Sequence, residues 1–271
     1  MTETLINELR DGFDQLPIIQ YSLSQLWKVA NNGDDEMDLV HLVKLAGLPT
    51  KFLSNEDKEK FDKWVREQEA FKQKYYQNTS LSNVLNTHAN VLYETALFYY
   101  QELVSWSNEE ITEEDARMII KTSFQSLTKI DMGRAVRNRV TLKEITDIIN
   151  RDDIEYETVC GILNIFRLPG NNFIRPYINN EDIESQYLSA EAILDITHEA
   201  LIRNWEVLSY WEIEERENYN DFQDFSIQLE RWKTNNKSKE FLLSLGPLVH
   251  FENGMKRAGL INIGSLSMIT R

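Results

Sequence analysis

One cysteine, five prolines and ten glycines serve a chain of 271 residues, and each scarcity excludes something. The lone Cys160 leaves no internal disulfide and fits a reducing compartment, where it reads as a small buried hydrophobe. So few glycines and prolines cannot supply the turns of an all-β chain, which points to a mainly α protein. No 18-residue apolar run, secretory leader or lipidation signal occurs, so the expected location is cytoplasmic, with no membrane contact. No Gly-Lys pair occurs, so no P-loop can be built. His41, His88, His198 and His250 stand apart without metal-ligand spacing, and no nucleophile elbow is present. The expectation is a chain that is not itself an enzyme, with no catalytic residue, no metal and no cofactor bound alone.

What is present can build cores: 42% of residues are hydrophobic, including 12 Phe, 11 Tyr and 6 Trp, which argues against disorder. A net charge of −15 repels phosphodiester backbones, so nucleic acid is an unfavoured partner. The exception is a local basic cluster, Arg134, Arg137, Arg139 and Lys143, whose arginines are candidates for phosphate or nucleic-acid contact.

Hydrophobic spacing divides the chain into helices. Residues 16–30 put Ile19, Leu23, Leu26 and Trp27 on one stripe, with Pro17 in the first turn and Gly33 beyond the end. A short helix is expected at about 38–46, a charged and aromatic amphipathic helix at 55–77 (Phe61, Trp64, Phe71, Tyr75), and a long helix at about 80–106. Thr112 caps the next helix, 131–141 reads as an irregular basic loop, and Thr141 with Glu144 forms a capping box. A further helix covers about 155–167. Periodicity then changes: 173–178 and 192–197 read as two short strands joined by an acidic loop. Ala192-Ile193-Leu194-Asp195 resembles the strand of a Walker B acid, but without a P-loop the better reading is the second strand of a wing. Three helices and a hairpin give the order of a winged-helix module. A helix over about 198–233 and a weaker helical region at 237–260 follow. The chain opens inside a helical pattern and stops at Arg271 without a cap, as an excised piece of something longer would.

The distinctive stretch runs from Ile196 to Trp205, Ile-Thr-His-Glu-Ala-Leu-Ile-Arg-Asn-Trp. Thr197 is placed to cap a helix, with His198 in its first turn, where outward N–H groups favour anions. A histidine there either adds a donor to a bound phosphate or merely caps and packs.

The ordered series of motifs resembles the bacterial novel STAND signal-transduction NTPases, relatives of NOD-like receptors, in the region after their ATPase core. The helix at 16–27 is similar to that family's Leu-Pro-Leu-Leu-Glu-Tyr-Ala-Leu helix. The stretch at 81–96 is similar to its next long helix, and 134–142 to its arginine-rich lead into the winged helix. Residues 195–217 resemble its His-Glu-Ala-Leu-Ile-Arg-x-Trp signature. The resemblance implies a helical domain at 1–110 with an insertion at about 49–79, a winged helix at 111–200 and a helical linker at 201–271. It implies that His198 senses the nucleotide state, supported by Thr197, Glu199 and Arg203. ADP or ATP would be held mainly by an upstream P-loop domain that this sequence lacks. It further implies a downstream sensor domain, oligomerisation on activation and a role in signalling or antiphage defence.

Two other functions compete. A winged-helix regulator would read DNA through the helix at 141–150, although that helix carries more acid than base. A helical adaptor would bind another protein through Trp205 and Trp211, although their spacing suits a core.

Overall fold

The apolar spacing of 16–30 does form a helix, but it is turned from the face that spacing suggests. In the computed structural model, which describes residues 15–30, 33–34, 36–37, 41, 54–67, 70–73, 81–103, 111–132, 134–179 and 181–257, α1 spans Gln15–Val29. Its buried residues are Ser22, Gln25 and Leu26, with Ala30 just beyond, whereas Leu23 and Trp27 are exposed. Of the expected stripe Leu26 is fully buried and Ile19 half-buried, and the neighbouring Gln25 reaches across to donate to the Gly170 carbonyl at 2.7 Å. Gly33 takes φ +88° where α1 ends, a conformation that favours glycine.

The charged helix is α2 (Asn55–Glu67), followed by the single turn α3 (Ala70–Gln73), with Phe61 buried and stacked on Trp64. Residues 74–77 and, except for His41, the expected helix at 38–46 lie outside the described residues. The expected long helix is α4 (Leu81–Glu94) and α5 (Ala96–Leu103). Its irregularity falls at Thr95, whose hydroxyl bonds back to the Val91 carbonyl at 2.6 Å.

Helix α6 (Glu113–Ser126) begins at the predicted cap, where Thr112 and Asp115 complete a capping box. The basic segment that reads as a loop is instead half of a hairpin. Strand β1 (Thr128–Asp131) pairs antiparallel with β2 (Arg134–Arg137), in a register from Thr128 opposite Arg137 to Asp131 opposite Arg134. Its strands are short, charged and largely exposed, so they leave little hydrophobic alternation to read.

Strand β3 (Val140–Thr141) runs into α7 (Leu142–Ile149) through the Thr141–Glu144 capping box, and Asn150 ends that helix in the left-handed region. Helix α8 (Tyr156–Arg167) is buried along most of its length. The two expected strands are β4 (Ile174–Arg175) and β5 (Ile193–Ile196). With β3 they make an antiparallel sheet in the order β3-β5-β4, with Val140 opposite Leu194 and Ile174 opposite Ile196. The helix expected over 198–233 is divided at Trp205 into α9 (Glu199–Asn204) and α10 (Glu206–Thr234).

The chain forms two compact units, Met1–Ser209 and Tyr210–Arg271. The core of the first joins Phe124 of α6, Phe166 of α8 and Trp205, edge to face at 5.0 Å between the first pair and 4.9 Å between Phe124 and Trp205. Such a cluster couples large area burial with favourable ring geometry. In the second unit most of α10 is followed by a 3-10 turn (Lys239–Phe241) and α11 (Leu245–Arg257). There Phe225 meets Phe251, and His250 lies 3.0 Å from Asp221. The architecture is mainly α with a few small antiparallel strands, and no helix among the described residues is long and apolar enough to cross a membrane.

Candidate functional site

Strand β5 is exposed at Ile193 and buried from Leu194 to Ile196, with the charged Asp195 among its buried residues, and the chain leaves the sheet at Thr197 and His198. Thr197 is still buried, and its N–H extends the β4 edge by bonding the Phe173 carbonyl at 2.9 Å. Its hydroxyl accepts from the Tyr177 phenol at 3.1 Å, so it does not cap α9 as expected. His198 takes the cap position instead, with extended backbone (φ −138°, ψ 136°) and no side-chain bond to the helix. The imidazole is exposed. It therefore does not spend itself on capping.

Two arginines surround it electrostatically. Partial burial, then the charges of Arg175 and Arg137, hold the His198 pKa below its ordinary value. The ring is thus neutral near pH 7, one nitrogen a donor and the other an acceptor. Arg137 is fixed by the backbone: its guanidinium donates to the carbonyls of Ile196 at 3.1 Å and Thr197 at 3.3 Å, and lies 3.5 Å from Asp195. Arg175 lies across the sheet, opposite Asp195 in the register of β4 with β5. Its guanidinium sits 5.6 Å from the Tyr177 ring centre and donates to the Tyr177 hydroxyl at 3.1 Å. A chain of contacts thus runs from Arg175 through Tyr177 to Thr197, next to His198.

The other expected residues take different places. Glu199 and Arg203 form an ion pair at 3.2 Å one turn apart on α9, on a partly exposed face. Arg139 donates to Asp195 at 3.2 Å, while Arg134 is exposed at the far end of β2. The basic cluster is therefore not one free patch, since Asp195 offsets two of its charges. Arg137, Arg139, Asp195 and Glu199 also line an open cleft of about 320 Å³ together with Lys129 and Asn138. An Asp195 carboxylate so engaged is a structural counter-ion in this sheet.

Sequence reasoning missed Arg175 and Tyr177. The signal was faint: a charged residue and an aromatic in a short strand, whose neighbours depend on a register that no local pattern states. At this surface the exposed imidazole lies within the electrostatic reach of Arg175 and Arg137.

No curated protein and no solved structure matches the chain. The family model described as Novel STAND NTPase 1 matches residues 1–240, taking in α1, the basic hairpin, the sheet and the His198 junction. The chain belongs to that family.

Proposed function

We propose that this chain is the regulatory, nucleotide-state-sensing part of a STAND-type switch, with a winged-helix module over about 111–200. The observation that carries the reading is the exposed imidazole of His198, uncommitted to its own helix and flanked by Arg137 and Arg175. Three helices and a sheet ordered β3-β5-β4 support the winged-helix part. A nucleotide gripped both by His198 and by a P-loop domain outside this sequence would tie the two domains together. A ligand shifts a conformational balance only through contacts that differ between its states. One charge-assisted hydrogen bond of about 1.5–3 kcal/mol biases that balance ten- to hundredfold. ADP, engaging His198 with its terminal phosphate, would favour the closed state; ATP would relax it.

In this reading the chain hydrolyses nothing itself and works in the cytoplasm beside an ATPase domain and a sensor domain. Signalling, including antiphage defence through activated oligomers, is the role that family membership suggests. Calorimetric titration of ADP and ATP into the purified chain tests the division of labour. The expected result is no binding tighter than about millimolar, since an imidazole and two guanidiniums alone supply only a few kcal/mol. Micromolar binding abolished by His198→Ala would reveal a self-sufficient site and overturn it.

A further inference from the structure

The break between α9 and α10 is marked locally only by Asn204, whose side-chain amide donates to the Ala200 carbonyl at 2.8 Å. Arg203-Asn204-Trp205-Glu206 contains neither glycine nor proline, and the pattern on both sides is helical. Yet Trp205 holds an extended backbone, φ −88° and ψ 103°. What fixes it comes from α4. The Trp205 indole N–H donates to Asn90 Oδ1 at 2.9 Å, and the Asn90 amide donates to Asn86 Oδ1 at 3.1 Å. The same Asn86 oxygen accepts the backbone N–H of Glu206, first residue of α10, at 3.1 Å. Asn86 thus caps α10 from another helix, a task that a residue at the helix's own N-cap usually performs. On the other side of the break, the Ile202 carbonyl is taken by the Ser209 hydroxyl at 2.9 Å. Asn86, Asn90 and Trp205 are all buried, so water cannot readily replace these bonds.

We propose that Asn86 and Asn90 form a latch, that Trp205 is the hinge it closes, and that release lets α9 and α10 join as one helix over 199–234. In the joined helix the N–H of Glu206 bonds the Ile202 carbonyl, so the backbone recovers what the latch supplied. Joining also withdraws Trp205 from Phe124 and Phe166, which keeps the latched form dominant. His198 occupies the N-cap position at the opposite end of α9, so a ligand drawn to it acts on a six-residue lever whose far end is latched. Only that coupling rests on the nucleotide reading; the hinge does not.

The test follows the backbone carbon shifts of 203–207 and the Trp205 indole N–H by NMR in the whole chain. The double variant Asn86→Ala/Asn90→Ala should raise the helical population at 204–206 by about tenfold or more, the scale set by two buried hydrogen bonds, and deprotect the indole. Adding Glu206→Pro should restore the extended signature. Proline suits the first position of α10, lacks the N–H that joining requires and favours an extended residue before it. Wild-type shifts at 203–207 in the double variant would overturn the latch. So would a double variant that fails to fold and is not recovered by Glu206→Pro, because proline forbids only the competing straight helix.

Discussion

At the scale of single residues, the first unit uses polar groups as fasteners, and two of them are cationic or potentially so. His88 packs against the rings of Tyr21 and Phe173, which also stack on each other, and is bonded to the Tyr21 hydroxyl. Burial first, then the Lys28 charge, pushes its pKa down to about 4, against a weaker opposing bond to Asn171. The unfolded chain binds this proton more readily, near pH 6.5. His88 therefore contributes stability that is fully present above pH 6.5 and is lost as pH falls toward 4, by about 3 kcal/mol. Denaturant titrations across that window should show the loss, and His88→Gln should remove its share of the slope. Arg167 is buried without a carboxylate at hand among its bonds. It donates to the carbonyls of Pro176 at 2.6 Å and Ser185 at 2.8 Å, and to the Asn164 side chain. The guanidinium pins both sides of the segment between β4 and β5. Arg167→Ala should cost about 3 kcal/mol and speed amide exchange over 177–187 more than in α8. Uniform exchange changes would contradict this local role.

At the scale of elements, the parts legible in the sequence are those with local causes. Thr112 with Asp115 and Thr141 with Glu144 each satisfy helix N–H groups within four residues, so their caps can be read directly. Thr112→Ala should accordingly lower stability by about 1 kcal/mol, measurable as a shifted denaturation midpoint with unchanged slope. The strands β4 and β5 were legible from their change of period. Features with tertiary causes were not. The β1–β2 hairpin, though local, has strands too short, charged and exposed to show an alternation, and what Arg137 meets, the Ile196 and Thr197 carbonyls, lies about sixty residues away. The burial of Gln25 on α1 follows its bond to Gly170, and the break at Trp205 is held from α4. Of the candidate site, His198 was legible as a residue, whereas its freedom from capping and its Arg175 neighbour follow from register and rotamer.

At the scale of the whole molecule, a strongly acidic chain concentrates cations around one junction. The charges of Arg175 and Arg137 act on His198, while Arg139 and Lys129 line the adjoining cleft together with Asp195 and Glu199. An anion at that junction stabilises the imidazolium, raising a pKa that the free protein holds down. Phosphate affinity should consequently strengthen as pH falls toward the lowered His198 pKa, and weaken with added salt as the guanidinium fields are screened. Membership of the Novel STAND NTPase 1 family gives the junction its context, and the proposed switch gives it a purpose. The most direct measurement is the ADP affinity of a protein that carries both the P-loop domain and this chain, with His198 or with His198→Ala. The account predicts ADP binding at least about tenfold weaker in the variant, with ATP affinity little changed. Equal ADP affinity in the two proteins would contradict it.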